Sequence, residues 1–128
     1  MAETGLDEAI LKDLVHALYA RIRADSVLGP IFATRIADWG PHLEQMTAFW
    51  SSVALMTGRY HGAPMPKHIG LPVEWAEFER WLALFRETAA EICPPKGAAY
   101  VVERAERIAQ SLHMAIEDAK PGIVPSLR

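Results

Sequence analysis

Residues 60–72 read Tyr60-His61-Gly62-Ala63-Pro64-Met65-Pro66-Lys67-His68-Ile69-Gly70-Leu71-Pro72. The glycines and prolines at 62, 64, 66, 70 and 72 forbid one continuous helix. A connection between bundle helices usually runs about 2–8 residues. This one is longer, lies between two strongly apolar helical patterns, and carries His68 with Ile69 and Leu71 beside it. We read it as a segment that presents an imidazole to an apolar cavity, and the surrounding chain indicates what fills that cavity.

Upstream, Leu6, Ile10, Leu11, Leu14, Val15, Leu18 and Ile22 recur at helical spacing. They predict a first helix from about Asp7 to Arg23, with a capping-box-like start over Thr4 to Asp7. Tyr19 falls at the edge of that stripe. Asp25-Ser26 and Gly29-Pro30 break the pattern, and Ile31-Phe32 starts a short turn or helix that returns Phe32 to the core. Asp38 to Pro41 predicts a second helix start. That helix sets His42, Met46, Phe49, Trp50 and Val53 on one face, and Gly58 is the expected stop. Downstream, Pro72 opens a helix whose buried face is Trp75, Phe78, Trp81, Leu82, Phe85 and Ile92. Pro94-Pro95 ends it, and Lys96-Gly97 reads as a turn. Val101, Ala105, Ile108, Leu112 and Ile116 form the seam of a last helix that stops before Pro121. No stretch alternates with period two. The expectation is an all-α domain over residues 1–120, followed by a loose tail at 121–128.

Bulk composition narrows the function. The 128 residues suit one domain with a real core. A net charge of -3 offers no basic excess for nucleic acid. No apolar run reaches the ~20 residues of a membrane span, and the acidic N-terminal residues lack a signal-peptide core, so the expected compartment is cytoplasmic. One cysteine, Cys93, precludes an internal disulfide or a cysteine metal cluster. It precedes Pro94-Pro95 and reads as inert.

The inward-facing polar residues form a set: Tyr19, His42, His68 and Trp81. A buried phenol, imidazole or indole needs a hydrogen-bond partner, and a plain core gains nothing from four of them. A cavity for a flat apolar cofactor with a metal centre uses them all, and haem fits. His68 is the better axial ligand, because its connector is shaped by Pro and Gly rather than by helix geometry. Tyr19, His42 and Trp81 then supply distal donors. Phe32, Phe49, Trp50, Phe78, Phe85 and Ile108 supply apolar walls, and Leu71 contacts the cofactor beside His68.

Several ordered landmarks sharpen this reading. They are Leu18-Tyr19, Leu28 to Phe32, Trp39 with His42, Phe49-Trp50, Tyr60 with Gly62 and Pro64, His68 with Leu71-Pro72, Trp81 to Phe85, and Arg104-Ala105. In order and spacing over residues 7–119 the chain resembles the truncated haemoglobins, and within them group III. The resemblance implies a two-over-two helical sandwich around haem b. It makes His68 the proximal ligand, Tyr19, His42 and Trp81 the distal set, and Met46 a distal apolar contact. Tyr60 becomes the position that reaches a haem propionate. Arg35, Arg59, His61 and Lys67 are candidate propionate cations.

Three functions compete. The first is reversible binding of dioxygen or other diatomic gases (nitric oxide, carbon monoxide) at five-coordinate iron. Three donors would hold oxygen tightly, which argues against bulk transport. The second is redox chemistry on peroxide or nitric oxide, which requires an external reductase. The third is a haem-free helical interaction domain in which His42, His61 and His68 form at most a chance zinc site.

Overall fold

The computed structural model describes residues 4–60 and 73–118. The tail at 121–128, Pro72, and the site candidates His61, Lys67, His68 and Leu71 lie outside the described residues. Among the described residues there are five helices and no strand: α1 Glu8–Ala24, α2 Leu28–Ala33, α3 Trp39–Leu55, α4 Trp75–Ile92 and α5 Pro95–Asp118. Helices α1 and α3 pack as one pair, and α4 and α5 as the other. α1 lies against α4, and α3 touches α5. This is the all-α, two-over-two arrangement expected from the sequence.

The α1 stripe is buried as its spacing predicts, with Leu11, Leu14, Val15, Leu18 and Ile22 all in the core. Its cap is Asp7 rather than Thr4. The Asp7 carboxylate accepts the Ile10 N–H at 2.8 Å, and Thr4 Oγ1 takes the Leu6 N–H just outside the helix. Arg21 and Arg23 in the last turn complement the helix dipole.

Gly29-Pro30 does not break the chain; both residues sit in the first turn of α2, where Pro needs no N–H partner. A Cβ at Gly29 would lie 2.7 Å from the Arg23 carbonyl oxygen, so only glycine lets α2 fold this closely onto the end of α1. Lys96-Gly97 is likewise not a turn, because α5 starts at Pro95. A Cβ at Gly97 would meet Leu6 and the Thr4 carbonyl at 2.8 Å, and the missing side chain lets α5 press on the N-terminal segment. Gly58 is not the stop of α3. The left-handed cap is Met56 (φ 58°), whose N–H donates to the Ser52 carbonyl. Helix α4 begins at Trp75 on a capping box between Glu74 and Glu77. Burial pushes the Cys93 thiol up to about 11, which keeps it protonated and unreactive at neutral pH. No described helix is long and apolar enough to cross a membrane.

Asp25 ties α2 to α4. Its carboxylate accepts the Val27 and Leu28 N–H groups at 3.0 and 2.9 Å, and both oxygens take Arg80 Nε, at 2.9 and 2.7 Å. The Arg80 bond, helped by the two backbone bonds and the Arg80 charge, lowers the Asp25 pKa from 3.8 to about 2 against the opposing effect of desolvation. A lowered folded-state pKa gives stability that is present above the unfolded value and lost as pH falls through the folded one. Asp25→Asn is therefore expected to lower Tm at pH 7 by roughly 3–6 °C, the shift for about 1 kcal/mol in a chain of this size. It should also flatten the loss of stability between about pH 4 and pH 2. Thermal melts across that range check both expectations.

Candidate functional site

A cavity of about 410 Å³ opens between the two helix pairs, within the usual range of about 300–1,000 Å³ for cofactor and ligand sites. Its lining is mostly apolar. α1 contributes Tyr19, α2 contributes Leu28, Ile31 and Phe32, and the link to α3 contributes Arg35 and Ile36. His42, Gln45, Met46, Phe49 and Trp50 come from α3, Tyr60 and Val73 from the segments flanking residues 61–72, Glu77, Phe78 and Trp81 from α4, and Ile108, Ala109 and Leu112 from α5. The structure thus brings Tyr19, His42 and Trp81 onto one cavity, together with Phe32, Met46, Phe49, Trp50, Tyr60, Phe78 and Ile108.

Ring packing orients the polar groups. His42 meets Tyr19 edge-on, with centroids 5.2 Å apart at 86°, and meets Trp39 at 5.5 Å and 87°. Tyr19 also packs edge-on against Phe32 at 5.9 Å. Trp39 completes the cluster at 5.8 Å from Tyr19, and the Arg23 guanidinium stacks over it at 4.5 Å. Burial drives the Tyr19 pKa well above its ordinary value, because a phenolate would be charged in an apolar wall. The hydroxyl, protonated at neutral pH in any case, stays a donor to still higher pH.

Phe85, expected on the wall, stands behind it. It is fully buried, with Trp50 at 5.1 Å and Trp81 at 5.3 Å, and it carries both indoles from the core side. Its place on the buried stripe of α4 was readable from spacing, as were the cavity positions of Trp50 and Trp81; its own retreat behind those two indoles was not. Lining residues that sequence reasoning passed over include Ile36, Gln45 and Glu77. Each has a helical-spacing signal: Ile36 four after Phe32, Gln45 three after His42, and Glu77 four before Trp81. Of the four candidate cations, Arg35 is the one Lys or Arg among the described lining residues. Arg59 is committed to Glu8.

No family model matches the chain. A curated relative, group 3 truncated hemoglobin ctb of Campylobacter jejuni, is 36% identical over 112 residues, spanning 84% of this chain and 87% of its own length. The chain belongs to the group 3 truncated haemoglobins. A crystal structure of group III truncated hemoglobin from Campylobacter jejuni superimposes with a TM-score of 0.82 at 27% identity. The match covers 93% of this chain and 95% of that one. As a globin, this truncated haemoglobin is a haem-binding protein, and the described lining suits that cofactor. Aromatic walls match a flat macrocycle, Arg35 matches its carboxylates, and three O–H or N–H donors share the same space.

The wedge that holds both indoles of this truncated haemoglobin is open to test. Phe85→Ala leaves a hole behind Trp50 and Trp81 and is expected to cost about 3–5 kcal/mol, read as a fall in the denaturant midpoint. A loss below about 1 kcal/mol would show that the indoles are held by something else.

Proposed function

We propose that this chain binds haem b through His68 and retains dioxygen, or another diatomic gas, beneath Tyr19, His42 and Trp81. The observation that carries the reading is that these three donors line one predominantly apolar cavity. Haem, when bound, supplies an iron centre with a coordination position open to a small ligand.

The protein's own groups do the rest. Tyr19 keeps its proton and offers an O–H from a wall that excludes water. His42 is held edge-on to Tyr19, so one ring orients the other. Trp81 can only donate, which makes its indole selective for a ligand that gathers negative charge. Hydrogen bonds in such a dry pocket are stronger than in water. Arg35 and Tyr60, both on the cavity lining, suit the haem carboxylates. His68 remains the axial candidate because in the sequence it stands beside Ile69 and Leu71, in a connector whose Pro and Gly forbid one continuous helix. Tight retention by three donors suits capture, sensing or chemistry on a held gas better than bulk transport.

The test has two arms. Purified protein given one equivalent of haem is expected to show a Soret band and to form a carbonyl adduct, and His68→Ala should lose the five-coordinate ferrous spectrum. Trp81→Phe is expected to raise the oxygen dissociation rate at least about tenfold, the equivalent of ~1.4 kcal/mol for one donor. Absence of a Soret band, or dissociation rates unchanged in Tyr19→Phe, His42→Leu and Trp81→Phe alike, would overturn the proposal.

A further inference from the structure

We propose that Glu8, on the first turn of α1, is a positioning residue for the haem site. Through Ser51 and Arg59 it fixes the chain reversal that returns Tyr60 to the cavity wall. The inference rests on the haem reading above and adds a residue outside the cavity lining.

After α3 the chain reverses within a few residues. Met56 and Gly58 both take left-handed backbone, φ 58° and 70°, a conformation that is unfavourable for Met56 because it carries a Cβ. Tyr60 then returns alongside α3. Its N–H donates to Ser52 Oγ at 2.9 Å, and its ring meets Phe49 at 5.2 Å and 90°.

Side chains from three segments hold this reversal. Ser51 is fully buried and donates its hydroxyl to Glu8 Oε2 at 2.6 Å. Ser51 Oγ also lies 2.7 Å from Thr57 Oγ1. A hydroxyl has one hydrogen, and Ser51 gives its own to Glu8, so Thr57 must donate to Ser51. The other Glu8 oxygen accepts from Arg59 Nη1. Both branches, Thr57 through Ser51 and Arg59 directly, therefore end on one carboxylate.

An exposed Arg–Glu pair alone would contribute little. This one differs because its carboxylate is also the acceptor for a buried hydroxyl, so removing it costs a charge-assisted bond as well as the ion pair and leaves Ser51 with Thr57 alone. Without Glu8 the reversal keeps the Met56 and Tyr60 backbone bonds to Ser52, the Ser51–Thr57 bond and the Phe49–Tyr60 ring contact, but it loses its charged anchor on α1, against the cost of a left-handed methionine.

The experiment measures haem loss from the loaded protein to an excess of haem-free myoglobin. Glu8→Ala and Arg59→Ala are each expected to speed loss about fivefold, near the upper end for such a pair. The double variant should be no faster than the worse single one, because the effects share one path. Glu8→Gln keeps an acceptor for Ser51 and should fall between wild type and Glu8→Ala. Arg21→Ala is the control for mere stability: it cuts ion pairs from α1 to Glu87 and Glu91 on α4 and should leave haem loss within about twofold. Resonance Raman supplies a second readout, with the propionate bending band displaced in Glu8→Ala and unmoved in Arg21→Ala. Wild-type loss rates in Glu8→Ala, or equal acceleration in Arg21→Ala, would overturn this inference alone. A wild-type chain that takes up no haem would overturn it together with the reading beneath it.

Discussion

Everything near the cavity depends on one aromatic wedge. Phe85 is fully buried between Trp50 of α3 and Trp81 of α4, with centroids just over 5 Å away on each side. It joins the two helix pairs at the level where the cavity opens. Because both indoles rest on the same ring, neither can lean back into the core, and each must present an edge or face to the hollow. Trp50 and Trp81 both line the cavity in front of that ring. Close-packed interiors seldom leave voids of this size.

Such a hollow favours few occupants. The lining is predominantly apolar, and a flat hydrophobic cofactor suits its aromatic walls. Tyr19 shows the electrostatic side of the arrangement. A phenol carries its proton at neutral pH in any case, and burial only reinforces that, so Tyr19 enters the wall as an O–H donor. His42 gains orientation from two perpendicular ring contacts, and Trp39 in turn gains a cationic cover from Arg23. Orientation at this site comes from aromatic packing, with Asp25 and Arg80 holding α2 in place against α4 from outside.

Much of this was legible in the residues. Helix existence and the buried stripe of α1 followed from 3.6-residue spacing, because a helix facing a core has few other solutions. The placement of Tyr19, His42 and Trp81 on one cavity followed from asking why donors sit in greasy stripes. Helix ends were less legible. Asp7 won the cap from Thr4 because its carboxylate reaches the third N–H of a helix that begins one residue later. Met56 took the left-handed position that Gly58 was expected to fill, because the reversal is secured by Ser51, Ser52 and Glu8, residues distant in sequence or pointing sideways from α3. Gly29 and Gly97 read as breakers but serve close approach, since the backbone and side chains they meet belong to other segments. Arg59 looked equal to Arg35 as a cation, and only the folded chain shows it turned to Glu8.

The most direct measurement is a crystal structure of the haem-loaded protein. The account predicts a porphyrin within this cavity, His68 Nε2 on the iron, and Tyr19, His42 and Trp81 together on the other side. A haem bound elsewhere, or an axial ligand other than His68 with the three donors split between its faces, would contradict it.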